Sequence, residues 1–163
     1  TQLLLNNKAN PANPNLQDKD GRTALHMSSI NGHTETTRVL LENEANPVNP
    51  NLQNKVGETA LHVSSRNGHT ETTRVLLENE ANPANPNLQD QWGETALHMS
   101  SRYGRTETTR VLLDNKANPN LQNQRGQTAL LMSYTRGHTE TTQLMLENEP
   151  NPEFSQMLKL FSK

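Results

Sequence analysis

The chain has 163 residues, and its hydrophobic fraction of 30% and aromatic fraction of 3% are low for a single large globular core. Its 15 Lys and Arg residues against 17 Asp and Glu residues, with a net charge of −2, leave no basic excess for binding nucleic acid or an anionic membrane. The lack of cysteine excludes a disulfide scaffold and a thiolate zinc site.

The first segment, residues 1–17, repeats the second half of the units that follow it. Thr1 to Pro11 aligns with Thr37 to Pro47, so we expect the chain to begin inside a repeat of a longer array. Its apolar run, Leu3 to Leu5, is far too short to span a bilayer, and no secretory signal pattern is present. A cytoplasmic or nuclear location is therefore the default expectation, and it allows for a targeting segment upstream of Thr1.

Four similar units follow, each marked by the sequence Thr-Ala-Leu. The motif begins at Thr23, Thr59, Thr95 and Thr128, which are 36, 36 and 33 residues apart. The last step is shorter because the loop before the fourth unit lacks one Asn-Pro-X triplet, a change that surface loops tolerate. A fixed period of this length indicates stacked repeats. The predicted units are repeat one at 18–53, repeat two at 54–89, repeat three at 90–122 and repeat four at 123–151.

Each unit is predicted to form two short helices. In repeat one, Thr23 can cap a first helix that ends before Gly32, and Glu35 complements the positive start of a second helix that ends before Pro47. Gly21 marks a tight turn before the first helix. Because the same pattern recurs in the other three units, we expect helix pairs joined by turn-rich fingers.

The combined motif resembles the ankyrin repeat. It consists of Asp18-x-x-Gly21-x-Thr23-Ala24-Leu25-His26, followed by Gly32-His33-x-Glu35 and Leu40-Leu41. The resemblance implies an all-α fold, an ankyrin-repeat solenoid of stacked helix-turn-helix units joined by β-turn or hairpin fingers. It also implies a concave binding face formed by the finger tips and the first helices.

Two features depart from the family pattern. Serine pairs such as Ser28-Ser29 replace alanines in the first helix, and we expect their hydroxyls to bond to carbonyls one turn back. The glycine that usually follows the second helix is also replaced, so we expect Asn43 and its equivalents to take the left-handed conformation. The replacing residues are Glu44, Glu80, Lys116 and Glu149.

The last segment, residues 152–163, is predicted to form one amphipathic helix. Its apolar residues recur at helical spacing, at Phe154, Met157, Leu158 and Phe161. We interpret it as a C-terminal capping helix that covers the final repeat. The alternative is a peptide that docks on another protein.

Histidine is the first candidate for chemistry, but its pattern indicates a structural role. All six histidines occupy two repeat positions, namely His26, His62 and His98, then His33, His69 and His138. Equivalent positions in successive layers lie about 10 Å apart, too far to share one metal ion. The resemblance implies that these side chains bond within and between repeats.

No other pattern predicts catalysis. Asp18-Lys19-Asp20-Gly21 starts like a calcium loop, but the remaining oxygen ligands are absent. The chain has neither a glycine-rich phosphate loop nor a nucleophile elbow. We therefore predict no enzyme activity, no metal site and no cofactor.

Positions that differ between otherwise constant repeats are candidates for partner binding, and we expect them to be exposed on the concave face because packing does not hold them constant. Repeat three supplies the only tryptophan and one of two tyrosines, with arginines nearby in repeats two to four. These residue types dominate binding hot spots, although a lone exposed tryptophan also occurs by chance. The predicted partner-binding residues are Trp92, Tyr103, Arg102, Arg66, Glu94, Glu58, Arg125 and Arg136.

The sequence thus predicts a protein–protein interaction module. We expect a monomer that presents its concave surface to a protein or peptide partner, and not to nucleic acid or a membrane. Two alternatives remain open, because fold alone does not determine function. The chain can be a structural spacer within a larger multidomain protein, or a substrate-recruitment domain for an enzyme encoded elsewhere in the parent chain.

Overall fold

The structure, a computed structural model, describes residues 13–148. Within that range the chain forms eight α-helices and no strand. Their bounds are α1 Ala24–Ile30, α2 Thr34–Leu41, α3 Ala60–Asn67, α4 Thr70–Leu77, α5 Ala96–Arg102, α6 Thr106–Asp114, α7 Ala129–Thr135 and α8 Thr139–Glu147. The predicted C-terminal capping helix, 152–163, lies outside the described residues, as does 1–12 of the predicted truncated repeat.

The helices stack in two rows, and each helix pair falls within one of the four predicted units. Helices α1, α3, α5 and α7 form the inner row, α2, α4, α6 and α8 form the outer row, and each helix contacts its neighbours in the row and its partner in the unit. One core runs through the stack, and seven of its leucines are at most 2% exposed, namely Leu25, Leu40, Leu61, Leu76, Leu97, Leu112 and Leu130. This arrangement confirms the predicted all-α solenoid, in which every unit buries its apolar side chains against its neighbours.

Histidine joins each unit to the next. The backbone N–H of His26 donates to the Thr23 hydroxyl, and the backbone N–H of Thr23 donates to Nδ1 of the His26 ring at 3.2 Å. Nε2 of the same ring then donates to the carbonyl of Glu58, in repeat two, at 2.9 Å. Because His62 and His98 form the equivalent bonds, the structural role predicted for these three histidines is confirmed.

Backbone bonds between neighbouring fingers hold the finger tips in register. The N–H of Gln91 donates to the Val56 carbonyl at 3.0 Å, and the N–H of Gln124 donates to the Trp92 carbonyl at 2.9 Å. The predicted glycine turn is required at this point. Gly57 has a φ of 80°, and a Cβ added to it would lie 2.7 Å from the backbone nitrogen of Gln91.

The serine pairs of the inner helices contain one bonded and one unbonded member. Ser64 Oγ donates to the Leu61 carbonyl at 3.1 Å and lies 3.0 Å from Thr73 Oγ1, so the predicted bonding one turn back is confirmed for the first serine of the pair. The prediction is wrong for the second serine, because its buried hydroxyl has no hydrogen-bond partner. The unbonded hydroxyls belong to Ser29, Ser65 and Ser101.

The end of the outer helix in repeat three has a Schellman motif. The N–H of Lys116 donates to the Leu113 carbonyl and that of Ala117 to the Leu112 carbonyl, both at 3.0 Å. In this motif the residue that donates the first of these two bonds takes the left-handed conformation, and it is usually glycine. Lys116 occupies that position with a φ of 64°.

The longer repeats end their outer helices differently, and the expectation of a left-handed Asn43 is wrong. Asn43 uses its side chain instead, with Oδ1 accepting from the Asn46 N–H at 2.9 Å, and Asn79 makes the same bond in repeat two. In the described part of the chain, Lys116 is the one non-glycine residue with positive φ. The additional Asn-Pro-X triplet gives the long repeats a wider loop, which an asparagine side chain closes without a left-handed residue.

We expect Lys116→Gly to raise the free energy of unfolding by about 1 kcal/mol. A left-handed non-glycine residue costs roughly 1–2 kcal/mol, and the greater freedom of glycine in the unfolded chain offsets part of the gain. The change is measured as a shift of the urea unfolding midpoint. Glu80→Gly is the control, because Glu80 is the equivalent residue of repeat two and lacks a positive φ. It should lose about 0.5–1 kcal/mol, and a similar loss in Lys116→Gly would contradict the prediction.

Candidate protein-binding surface

A groove of about 720 Å³ runs across repeats two to four, between the finger tips and the ends of the inner helices. All eight residues predicted to bind a partner line it, which are Glu58, Arg66, Trp92, Glu94, Arg102, Tyr103, Arg125 and Arg136. Four further residues, which are not among those eight, also line it, namely Val56, Met99, Asn123 and Gln124. We call this surface the inner groove. The structure brings the predicted residues together, and their role in binding stays a prediction.

The finger of repeat three fixes the backbone of Trp92 and leaves its side chain exposed. Asp90 Oδ1 accepts from the N–H groups of Trp92 and Glu94, at 2.9 Å and 2.8 Å. The Trp92 carbonyl accepts from Gln124 in the next finger. The indole is nevertheless 48% exposed, so a large apolar surface stands on a well-held backbone.

Tyr103 is the second exposed aromatic residue of the inner groove. It follows the last residue of α5, where its N–H donates to the Met99 carbonyl at 3.3 Å, and its side chain is 44% exposed. Met99 itself is buried and lines the groove beside it. Trp92 and Tyr103 therefore present apolar area from one repeat, one from the finger and one from the inner helix.

The expectation that every variable position is exposed is wrong for Glu58 and Glu94. Their exposed fractions are 6% and 4%, and their carboxylates form ion pairs with Arg66 and Arg102 respectively. Each glutamate lies under the arginine that follows it in the same repeat, which compensates the charge. Burial raises the pKa of Glu94, and the Arg102 guanidinium opposes that shift.

One signal in the sequence predicts these buried pairs. Repeats two and three have both the glutamate and the arginine, whereas repeat one has Arg22 and Ile30 at the equivalent positions and repeat four has Gln127 and Thr135. The two residues thus occur together or not at all. Variation that is correlated in this way indicates contact.

Arg125 and Arg136 complete the groove with exposed positive charge. Both residues are exposed, and neither guanidinium forms an ion pair or hydrogen bond with any of the residues that the structure describes. Arg125 occupies the position in repeat four that Trp92 has in repeat three, and Arg136 is equivalent to Tyr103. The groove therefore changes from aromatic to cationic over one repeat.

A second concavity, of about 670 Å³, lies between the C-terminal ends of α2 and α4. Its apolar floor, formed by Leu41, Val48 and Val75, is at most 8% exposed. Glutamates outnumber arginines around its rim. Since a partner would gain little apolar contact there, the inner groove is the better candidate for a binding surface.

The described residues contain no group of three His, Asp or Glu side chains arranged to hold a metal ion. Over residues 13–148, every helix is too short and too polar to cross a membrane.

The comparison with known families agrees with the architecture. A family model described as ankyrin repeats (3 copies) matches residues 1–85 and again residues 82–156. No curated protein matches the chain significantly. The two matches together cover almost the whole sequence, and the stacked helix pairs occur where the repeated motif predicts them. The chain therefore belongs to the ankyrin-repeat family.

Proposed function

We propose that this chain is a protein-binding module whose inner groove holds a segment of a protein partner, with repeat three at its centre. Ankyrin repeats are in general protein–protein interaction modules. We further propose that the domain acts as a monomer, without catalysis of its own and without nucleic acid or a membrane as its partner.

The observation that carries this proposal is the exposure of Trp92 and Tyr103 in a groove with a fixed backbone. Two aromatic side chains that are 48% and 44% exposed leave apolar area in contact with water, and a partner that covers them recovers that free energy. Because inter-finger bonds already hold the backbone, little conformational entropy is lost on binding. A spacer without a partner gains nothing from this arrangement.

We expect Trp92→Ala to weaken partner binding by about 30-fold, the effect of losing one hot spot of roughly 2 kcal/mol. The measurement is affinity capture from a cell extract, followed by titration of the captured protein. Tyr134→Ala is the matched control, because Tyr134 is 37% exposed and does not line the inner groove. If Trp92→Ala retained the partners and affinity of the unmodified domain, the spacer alternative would be favoured instead.

A further inference from the structure

We propose that the inner groove selects an acidic peptide segment, in which a carboxylate side chain lies close to an apolar or aromatic one. This inference rests on the proposed function and specifies the chemistry of the partner. The apolar side chain would cover Trp92 and Tyr103 of repeat three. The carboxylate would pair with Arg125 and Arg136 of repeat four.

The inner groove has a net positive charge. Its lining contains four arginines and two glutamates, so its formal charge is +2, whereas the whole chain has a net charge of −2. Glu58 and Glu94 are buried and already paired with Arg66 and Arg102. The unpaired charge that a partner meets is therefore that of Arg125 and Arg136.

The aromatic and the arginine side chains of the groove belong to successive repeats. Because Arg125 is equivalent to Trp92 and Arg136 to Tyr103, each arginine follows its aromatic neighbour by one repeat. The two aromatic side chains thus form one layer of the groove and the two arginines form the next. Two guanidinium groups in one layer suit a single carboxylate, which accepts from both.

The distance between the aromatic layer and the arginine layer determines the spacing of the two side chains in the partner peptide. Packed helices lie about 8–10 Å apart, and an extended chain advances roughly 3.3 Å per residue. A peptide that runs along the stack therefore needs about three residues to pass from the aromatic layer to the arginine layer. We infer a partner motif with an apolar or aromatic residue and an Asp or Glu about three positions apart.

The extent of the positive charge favours a peptide over nucleic acid. Two unpaired arginines neutralise only two phosphates, which gives weak and strongly salt-dependent binding to a polyanion. A peptide carboxylate beside an apolar contact uses both layers of the groove. Removing the aromatic layer and removing the arginine layer should therefore each weaken binding of the same ligand.

The test begins with random linear peptides displayed on phage and selected on the full chain. Peptides that lose binding to Trp92→Ala are synthesised, and we expect them to contain Asp or Glu at the stated distance from an apolar residue. Replacing the acid by Asn or Gln should weaken binding about 10-fold, equivalent to 1.4 kcal/mol. Arg125→Gln and Arg136→Gln should each have a similar effect, and affinity should fall with rising salt.

Arg110→Gln is the matched control, because Arg110 is an exposed arginine of the outer helix α6 and does not line the groove. It should leave the affinity unchanged. Circular dichroism of all variants checks that the fold persists. Arg125→Glu combined with Arg136→Glu should reverse the preference, so that a lysine-bearing version of the peptide binds better than the acidic one.

Two negative results have different meanings. Selected peptides that depend on Trp92 but have no acidic residue, or that bind Arg125→Gln and Arg136→Gln normally, would overturn the inferred partner chemistry and leave the proposed function in place. A selection without any Trp92-dependent peptide would overturn both proposals for this groove.

Discussion

Lowering the pH from 7.5 to 5.5 should reduce the free energy of unfolding by up to about 4 kcal/mol. The effect comes from His26, His62 and His98, each of which is 1% exposed. Burial lowers the pKa of all three side chains below the ordinary value of 6.5. In each ring Nδ1 accepts from a threonine backbone N–H, so a proton added to that nitrogen would face another donor.

The direction of this pH effect follows from the number of protons that the unfolded and folded chains bind. Below pH 6.5 the unfolded chain binds a proton at each of these histidines, while the folded chain stays neutral until the pH reaches its lower pKa. The stabilisation is therefore complete above pH 6.5 and is lost as the pH falls through that value. Each histidine accounts for at most about 1.4 kcal/mol between pH 7.5 and 5.5. Carboxylates of Asp18, Glu58 and Asp90 oppose the shift, but burial outweighs them.

Urea unfolding at closely spaced pH values measures this dependence. Glu94 acts in the opposite direction, since burial raises its pKa above the ordinary carboxyl value of 4.5. His62→Gln supplies the control, because an amide can still donate to the Glu94 carbonyl but does not titrate. It should remove about one third of the pH dependence. An unchanged dependence in His62→Gln would mean that other groups cause the loss of stability.

The fold was predictable because the four units repeat the residues that determine local structure. Threonine at the start of each inner helix and glycine after the helix restrict the backbone in the same way in every unit, and the first three units also have histidine three residues after the threonine. The sequence therefore predicts the helix pairs by internal comparison. It does not predict the bond partner of each polar group, which depends on the neighbouring repeat.

The inner groove was predicted from variation between repeats, and the same argument failed for two residues. Trp92 varies between repeats and its side chain is exposed, as predicted. Glu58 and Glu94 also vary, but each changes together with an arginine eight residues later and is buried under it. Variation between repeats therefore does not by itself indicate exposure, because a varying residue can be buried against a second varying residue.

The left-handed Lys116 shows a different limit of prediction. Similar residues follow the outer helix in repeats two and three, and Asn79 is equivalent to Asn115. The length of the following loop decides whether an asparagine side chain or a left-handed residue ends the helix. Such a choice depends on closing the loop in three dimensions, and residue preferences do not determine it.

Replacing Ser29, Ser65 and Ser101 together by alanine should raise the free energy of unfolding by about 3 kcal/mol. Each hydroxyl is 0% exposed and has no partner, a state that costs roughly 1–3 kcal/mol. The small void left by each oxygen limits the gain to about 1 kcal/mol per site, and gains on separate helices add. At about 2–4 °C per kcal/mol, the melting temperature should rise by about 6–12 °C.

The adjacent serines of the same helices provide the matched control. Ser28, Ser64 and Ser100 are also buried, but each hydroxyl bonds to a carbonyl one turn back and to a threonine hydroxyl of the outer helix. Their replacement by alanine should cost about 1–2 kcal/mol per site. Both triple variants remove the same atoms and gain the same helix propensity. The two expected changes in the free energy of unfolding therefore differ in sign only because one set of oxygens is bonded and the other is not. A comparable loss of stability in both would show that the second serine of each pair also has a partner in solution.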